Sequence, residues 1–428
     1  MKFLVINDFN DINSVNILHF SMDKGHYIAK SLTNKGAEVY FMTTLKSYDR
    51  DSIKYINMDM IDEKFLSSIN YVIIAREPVF AEALGRLPAL KNHVGIPIKS
   101  RSDPKIIVRS DSPMWATSKV FNNNINKIYG LNNKRSKWWP MQHVDYIGCQ
   151  NQSYYKMARA AGFPDSSLIL SDMSISPIKC DVTKLVNPYD PKHSYCVKDS
   201  KLLGPGGALV PKYYVDNPGK INEMNKPRKI IIYTGRLKTD GGKIMFNMIN
   251  IMKELESTCE LHIFPSSFFI PLDEDRTRYS SKNANHLAHL RDRMFAESKN
   301  IFVHYPYSHD DKYRYLHFAD CGIDFSDVRP DIKAVGVAGH AKILEYCELG
   351  LPIVCEGNIN NLHLIRRGKN GIILPFMASD RLFILAIKRI LSMKVDREFC
   401  RKVTWENENW DVRAQELIDQ LNAHNKKK

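Results

Sequence analysis

The sequence predicts an α/β protein built from two doubly wound, Rossmann-like domains. Three observations favour this fold class. The chain has 428 residues, more than one hydrophobic core usually supports. Short apolar runs typical of strands alternate with segments of helical periodicity, which is the pattern of parallel sheets. The alternation occurs twice, and a stretch rich in Pro, Gly, Asn and Tyr separates the two series.

The first series occupies the N-terminal half of the chain. Its strands are predicted at 2–8, 38–43, 71–75, 105–110, 144–149 and 167–171. Helical patterns lie between them at 16–35 and 150–161. The periodicity fades from about residue 172 to residue 228, where we expect the chain to cross between domains. The first domain is therefore predicted at 1–222.

The second series begins with KIIIYTGRL and gives a second domain at 223–404. Its strands are predicted at 229–237, 260–265, 300–306, 321–326, 351–356 and 371–375. Its helices are predicted at 243–256, 284–297, 309–319, 340–349, 360–367 and 378–392. Doubly wound sheets bind ligands at the carboxyl ends of their strands, so two such sheets facing across a cleft would hold the chemistry between them.

Bulk composition favours a folded cytoplasmic protein. No apolar run reaches the 18 residues of a membrane span, and the first residues become acidic too early for a secretory signal. The eight cysteines are scattered and contain no CxxC pair, so we expect reduced thiols rather than disulfides or a zinc site. The net charge of +14 suits an anionic partner: a nucleoside diphosphate, an anionic membrane surface or a nucleic acid.

The segment GHAKILEYCELGLPIVC, residues 339–355, carries the most specific signal. Gly339 and His340 begin a predicted helix whose free N–H groups attract phosphate, and Lys342 adds a cation in its first turn. Glu345 lies on nearly the same helix face, where its carboxylate suits two ribose hydroxyls. The alternative is an ordinary amphipathic helix with Lys342 and Glu345 on its solvated face.

This segment, with GRL at 235–237 and IRRGKNGIILP at 365–375, resembles the C-terminal donor domain of GT-B glycosyltransferases. The resemblance implies that Lys342 and Arg236 contact the diphosphate and that Glu345 contacts the ribose. It also implies an acceptor-binding first domain, a nucleotide-sugar-binding second domain, and a C-terminal helix at 405–428 that returns to the first domain. An exposed arginine at a strand end is the alternative for Arg236.

Two departures from the GT-B pattern favour an inverting enzyme. Val337 stands eight positions before Glu345, where many retaining GT-B enzymes have a glutamate. The Lys-Gly that often follows Gly-Arg is also missing, although Lys243 is available in its stead. Several stretches, among them VRSD at 108–111, are similar to the xanthan-type glucuronosyltransferases, which are inverting GT-B enzymes that work at a membrane.

An inverting transfer needs one general base to deprotonate the acceptor hydroxyl. Asp111 is the first candidate, because it follows a predicted strand and the likeness places a catalytic aspartate there. The same SDSP sequence is also typical of a turn or a helix N-cap. Glu77, after the strand at 71–75, and His19, near the first βα loop, are the reserve candidates.

The nucleotide site is expected to need no metal cofactor and to take a UDP-sugar as co-substrate. Helix N-termini and cations can neutralise a leaving diphosphate without Mg²⁺, so the acidic DED at 273–275 is interpreted as a solvated loop. Tyr305, Tyr307 and His309 follow a strand and suit a nucleobase pocket, with simple packing as the alternative.

We therefore predict a glycosyltransferase of polysaccharide biosynthesis that acts on a glycan or a lipid-linked sugar. The loop NNKRSKWWPMQH at 132–143 combines cations with tryptophans, which suits peripheral contact with a membrane or a nucleic-acid backbone. Two alternatives stay open: a DNA glycosyltransferase acting on hydroxymethylated bases, and a noncatalytic sugar-nucleotide-binding protein.

Overall fold

The structure is a computed structural model of the full chain. It describes residues 1–7, 20–75, 77–110, 144–160, 163–172, 174–176, 179–190, 196–198, 201–208, 210–235, 243–265, 298–304, 309–324, 341–357, 361–376 and 378–426. These residues divide into two compact units. The first comprises the described parts of Met1–Lys179 and Glu406–Lys428, and the second those of Cys180–Pro330 and His340–Trp405.

The first unit is a doubly wound sheet of eight strands. Its strands are β1 (Lys2–Ile6), β2 (Glu38–Thr43), β3 (Tyr48–Arg50), β4 (Ile53–Asn57), β5 (Tyr71–Ile74), β6 (Lys105–Ser110), β7 (Tyr146–Cys149) and β8 (Leu168–Leu170). Their order is β3-β4-β2-β1-β5-β6-β7-β8, and every neighbouring pair is parallel except β3 with β4. Its helices are α1 (Phe20–Asn34), α2 (Glu63–Ser67), α3 (Glu77–Arg86), α4 (Pro88–Gly95) and α5 (Gln152–Ala160).

The second unit contains a parallel sheet of six strands. After a short helix α6 (Lys212–Asp216) and an antiparallel pair, β9 (Cys196–Lys198) with β10 (Lys201–Leu203), the sheet strands are β11 (Lys229–Gly235), β12 (Cys259–Pro265), β13 (Ile301–Val303), β14 (Cys321–Asp324), β15 (Ile353–Glu356) and β16 (Gly371–Leu374). Their order is β13-β12-β11-β14-β15-β16. The associated helices are α7 (Lys243–Glu254), α8 (His309–Phe318), α9 (Ala341–Glu348), α10 (Leu362–Gly368), α11 (Asp380–Ser392) and α12 (Arg397–Glu408).

Both sheets bury apolar side chains on their two faces, as parallel sheets must. The strands β5 and β11 are therefore near-continuous apolar runs, YVII and KIIIYTG. In the first unit one face packs beneath α3, α4 and α5, and the other beneath α1 and the last helix, α13 (Trp410–Lys426). In the second unit α7 and α11 cover a face of the sheet with Met248, Met252, Phe383 and Ile387.

The last helix belongs to the first unit. Trp410, Ala414, Leu417 and Leu421 of α13 lie in the core beside α1 and the central strands. The Gln420 side chain accepts a hydrogen bond from the backbone N–H of Leu170 (2.8 Å) and donates one to its carbonyl (3.0 Å). The Asn425 amide donates to the Tyr71 hydroxyl (2.8 Å). The C-terminal segment is thus bound to both the face and the edge of the first sheet.

The two units divide at residues 179 and 180, whereas the sequence predicts a domain boundary at 222. The physical reason is that the irregular segment after Cys180 packs within the second unit. Ala208, Val210, Tyr214 and Met224 form a buried cluster with Phe302 of β13. The Tyr189 hydroxyl also donates to the backbone carbonyl of Tyr315 in α8 (3.2 Å). Within the described residues, no helix is both long and apolar enough to cross a bilayer.

Candidate functional site

The candidate site lies in the second unit, where the direction of winding reverses. The strands β11 and β14 are neighbours, β12 and β13 extend the sheet on one side, and β15 and β16 extend it on the other. In an open parallel sheet this reversal leaves a crevice outside the carboxyl ends of the two central strands, which is where ligands bind. Gly235 ends β11 and Asp324 ends β14, so these two residues mark the floor of the crevice.

A buried ion pair occupies this position. The Lys342 ammonium of α9 lies 3.0 Å from Oδ1 of Asp324, with side chains only 13% and 1% exposed. The same ammonium lies 4.0 Å from the ring centroid of Tyr233 in β11, a cation–π contact. Gly235 has a φ of 100°, and a Cβ at that position would lie 3.6 Å from Cε of Lys342. That distance is an ordinary van der Waals contact, so it is the positive φ of Gly235 that favours a glycine here.

The charge state of Lys342 follows from opposing effects. Burial disfavours the ammonium, but the Asp324 carboxylate and the Tyr233 and Tyr346 hydroxyls act in the opposite direction and raise the pKa of Lys342 above its usual range. The lysine is therefore positively charged at neutral pH. Because both partners are buried, the ammonium is also fixed in position at the strand ends.

Tyr346 holds α9 against the two central strands. Its hydroxyl accepts a hydrogen bond from the backbone N–H of Thr234 in β11 (3.1 Å). A Cβ at position 322 in β14 would lie 2.6 Å from the Tyr346 ring, so Gly322 is required for this packing. The helix ends at Glu348, and Gly350 adopts the left-handed conformation (φ 63°) that the sequence predicts for a helix cap.

Glu345 is buried one turn after Lys342 and has its own cationic neighbour. Lys312 of α8 places its ammonium 4.0 Å from Oε1 of Glu345 and 3.6 Å from Oε2 of Glu348. The Tyr313 hydroxyl donates to Glu348 Oε1 (3.0 Å). Because Lys342 and Glu345 are both largely buried, the alternative of a solvated helix face does not hold.

A second buried polar chain crosses β12 and β13. The Glu260 carboxylate lies 3.1 Å from Nε2 of His262, and Nδ1 of His262 lies 2.7 Å from Nε2 of His304. If Nε2 of His262 donates to Glu260, then Nδ1 of His262 accepts in turn from Nε2 of His304. Burial and the neighbouring His262 lower the pKa of His304 well below its usual value, so His304 is neutral. The Phe264 ring stacks on the His304 ring, and the two ring centroids are 3.9 Å apart.

The structure brings Lys342 and Glu345 together on α9, as the sequence predicts. Glu77, Lys243 and His309 are the first residues of α3, α7 and α8, but their side chains are outside the description. Seven other predicted site residues lie outside the described residues: His19, Asp111, Arg236, Tyr305, Tyr307, Gly339 and His340. The predicted roles of all these residues stay predictions.

Sequence reasoning missed two residues of the site. Asp324 lies inside a mostly apolar strand pattern, CGIDFS. A carboxylate near the end of such a strand could have indicated a site residue. Lys312 lies four residues before the buried Leu316 in α8, a spacing that places the lysine on the packed helix face.

The acidic DED motif at 273–275 lies outside the residues that the structure describes. Across the described ranges, no group of three His, Cys, Asp or Glu residues could hold a metal ion.

In the first unit, β5 and β6 are adjacent and parallel, so the carboxyl ends of these two strands lie at the same edge of the sheet. Arg109 of the VRSD segment is buried there. Its Nε donates to the Ser171 hydroxyl (2.8 Å), and its guanidinium lies 5.2 Å from the Trp410 ring centroid. These contacts give Arg109 a structural role, linking β6 to the segment after β8 and to α13.

Comparison with known proteins identifies solved structures that share this fold. No protein-family model and no curated protein sequence matches the chain. Solved structures match over its full length. HepE of Anabaena in complex with UDP-glucose has a TM-score of 0.54 and 9% identity, covering 99% of this chain and 100% of HepE. Sucrose-phosphate synthase of Thermosynechococcus elongatus has a TM-score of 0.59 and 10% identity, covering 100% and 99%.

The lipopolysaccharide outer core galactosyltransferase WaaB is a third match, with a TM-score of 0.51 and 11% identity over 99% of both chains. At 9–11% identity these matches show the fold alone. The two predominantly parallel sheets are consistent with the similarity to these structures over the full length of the chain. The chain therefore has the GT-B fold of these glycosyltransferases.

Proposed function

We propose that the protein is a glycosyltransferase that moves a sugar from a UDP-sugar to a hydroxyl group of a glycan or a lipid-linked sugar. The observation that carries this proposal is the fixed Lys342 ammonium at the winding reversal of the second sheet. A cation at that point suits an anionic ligand, and the GT-B fold makes a nucleoside diphosphate the fitting one. The HepE structure, described as a complex with UDP-glucose, supports the choice of UDP.

In this proposal Lys342 neutralises part of the diphosphate charge. Asp324 keeps the ammonium in place before the ligand arrives, so little ordering is needed on binding. Arg236, the next residue after β11 in the sequence, and Lys243, the first residue of α7, supply further cations. Gly339 and His340, which precede α9 in the sequence, supply backbone N–H groups for the same diphosphate. These groups allow the leaving diphosphate to be stabilised without a metal ion.

Glu345 binds the ribose hydroxyls, and Tyr305, Tyr307 and His309 bind the base. Lys312 supports the first role, because its ammonium lies 4.0 Å from the buried Glu345 carboxylate and helps to orient it. The rigid Glu260–His262–His304 chain supports the second, because it fixes the backbone immediately before Tyr305. The donor would then contact α9, the first residues of α7 and α8, and the segments that follow β11 and β13 in the sequence.

The transfer itself is proposed to be inverting, as in the xanthan-type glucuronosyltransferases that parts of the sequence resemble. Asp111 accepts the proton of the acceptor hydroxyl while its oxygen attacks the anomeric carbon. The bond from that carbon to the diphosphate oxygen breaks, and UDP leaves. Val337, in place of the glutamate of many retaining enzymes, supports inversion. Glu77 and His19 are the reserve bases.

A thermal-shift panel of UDP, UDP-sugars, GDP and ADP tests donor binding. Because a ligand of the folded state stabilises it, a uridine ligand should raise the melting temperature by several degrees. Asp111→Ala should retain this shift and lose sugar transfer, whereas the exposed Asp49→Asn control should retain both. If no nucleotide shifts the melting temperature, the donor proposal fails. Donor binding without hydrolysis or transfer would instead indicate a noncatalytic binding protein.

The net charge of +14 keeps a DNA acceptor as a second candidate. None of the three matched proteins is described as acting on DNA. A mobility-shift assay with hydroxymethylated duplex DNA at low salt separates the two acceptor classes. A salt-sensitive complex would favour DNA, and no complex at low salt would exclude it.

A further inference from the structure

The exposed side of α11 in the second unit combines cations with large apolar side chains. Its inner side chains, Phe383, Ala386, Ile387 and Ile390, are buried against the sheet. The opposite side of the helix and the residue after it form a surface that we call the outward arc. The outward arc consists of Arg381, Leu382, Leu385, Lys388, Arg389 and Met393.

The apolar members of the outward arc are unusually exposed. Leu382 is 41% exposed, Leu385 is 54% exposed and Met393 is 45% exposed. A single exposed leucine is ordinary on a protein surface. These three residues are spaced three and eight positions apart, so at 100° per residue they lie within about 80° of one another around the helix. They therefore form one apolar strip rather than scattered positions.

The cations of the outward arc alternate with this strip. Arg381 lies beside Leu382 and Leu385, and Lys388 and Arg389 follow one turn later. None of these three side chains forms an ion pair with another described residue. The positive charge of the outward arc is therefore available to an external anion.

The nearby carboxylates are engaged elsewhere. Asp380 accepts a hydrogen bond from the Asn250 amide (3.3 Å). Asp396 accepts from the backbone N–H of Phe399 (2.9 Å) at the start of α12, and Glu398 pairs with Arg401 (2.9 Å). The outward arc itself contains no carboxylate, so its charge has one sign.

We propose that the outward arc of α11 binds the surface of an anionic lipid bilayer. Lipid phosphates would pair with the three cations, while the leucines and the methionine enter the boundary between headgroups and acyl chains. A nucleic-acid backbone would satisfy the cations but leave the apolar strip in water. The bilayer interface offers both kinds of contact within one shallow layer, which is why we choose it.

Vesicle co-sedimentation of the full-length protein tests this proposal. The probes are vesicles of phosphatidylcholine alone and of phosphatidylcholine mixed with phosphatidylglycerol. The protein should bind the mixed vesicles, should bind the neutral ones far less, and should be released by high salt because screening weakens surface charge interactions. Absence of binding to the mixed vesicles would overturn the proposal.

Two variants separate the two contributions. Replacing Arg381, Lys388 and Arg389 with Gln should weaken binding about a hundredfold, because each of the three cations near an anionic surface contributes roughly fivefold. The control, Lys35, Lys64 and Lys91 to Gln, removes the same charge from exposed sites of the first unit and should bind as the unaltered protein does. Equal binding by both variants would refute the role of the outward arc.

The second variant, Leu382→Ser with Leu385→Ser, should also weaken binding about tenfold, since it removes the apolar strip. Its control is Val186→Ser with Val215→Ser, at two other exposed positions. Circular dichroism and melting temperature check that each variant is folded. Undiminished vesicle binding by the serine variant, or preferential binding of duplex DNA by the protein, would contradict a membrane surface at this helix.

Discussion

At the residue scale, the ion pair of Lys342 and Asp324 places a fixed positive charge at the winding reversal of the second sheet. A buried lysine or aspartate alone would be costly, whereas a close pair offsets much of that cost. The pair leaves a fixed ammonium at the ends of β11 and β14 in the absence of ligand. The contribution of Lys342 to folding and its proposed contribution to ligand binding can therefore be measured separately.

A double-mutant cycle makes this separation. Asp324→Asn and Lys342→Met should each reduce the free energy of unfolding by about 3 kcal/mol, because each leaves one buried charge unpaired. The double variant should recover much of this loss, because neither charge remains. Urea unfolding measures all four proteins.

Thermal shifts of the same four proteins on addition of UDP test whether Lys342 contributes to ligand binding. The double variant should not respond to UDP, although its stability is largely restored. A normal response of the double variant would show that Lys342 contributes only to folding. The matched control, Lys35→Met, alters an exposed cation of the first unit and should change neither measurement.

The sequence predicted Lys342 and Glu345 because both lie in one helix with a recognisable beginning and end. It did not single out Asp324, whose role depends on β14 lying next to β11, although these strands are more than eighty residues apart. Lys312 was missed for the same reason, since Glu345 reaches it only through the packing of α8 on α9. Contacts between distant segments are not visible in local periodicity.

At the element scale, the strands with long apolar runs were predicted within a few residues, as with β5 and β11. The strands β3 and β4 were missed because YDRDSIKYIN is mostly polar, and only Ile53, Tyr55 and Ile56 are buried there. The segment after Cys180 lacks regular periodicity, so nothing in its pattern indicated that it packs within the second unit.

The helix α13 provides the prediction at this scale. Trp410 is buried in the core of the first unit, so Trp410→Ala should reduce the free energy of unfolding by about 3–5 kcal/mol through the lost burial and the cavity left behind. Differential scanning calorimetry with amide hydrogen exchange should show the loss in the first unit. The control is Trp405→Ala, a half-buried residue of α12, which should cost less and act on the second unit. Equal losses in the same unit would contradict this assignment.

At the scale of the whole molecule, one buried histidine and three partly buried ones make stability depend on pH. Burial is the largest cause that lowers the pKa of His26, His93, His304 and His317 from their ordinary value of 6.5. Below pH 6.5 the unfolded chain binds protons at these sites while the folded protein resists them. The free energy of unfolding should therefore be highest above pH 6.5 and fall as the solution becomes more acidic.

Melting temperatures measured from about pH 8 down to pH 5 check this dependence. Glu38 does not contribute in that range, because hydrogen bonds from Lys54 and Tyr40 lower its pKa to about 2, so its effect begins only below its ordinary value of 4.5. Replacing His304 with Phe removes one titrating group and should flatten the pH profile. A profile that is level across this range would show that the histidines do not carry the effect.

The hydrogen bonds of Gln420 have a consequence for the behaviour of the protein in concentrated solution. The outer edge of a sheet exposes backbone groups onto which a strand from another molecule can add, and such addition leads to aggregation. The Gln420 amide satisfies both the N–H and the carbonyl of Leu170, as a neighbouring strand would. One side chain therefore makes the β8 edge a poor template for intermolecular strand pairing, and it does so without placing a charge there.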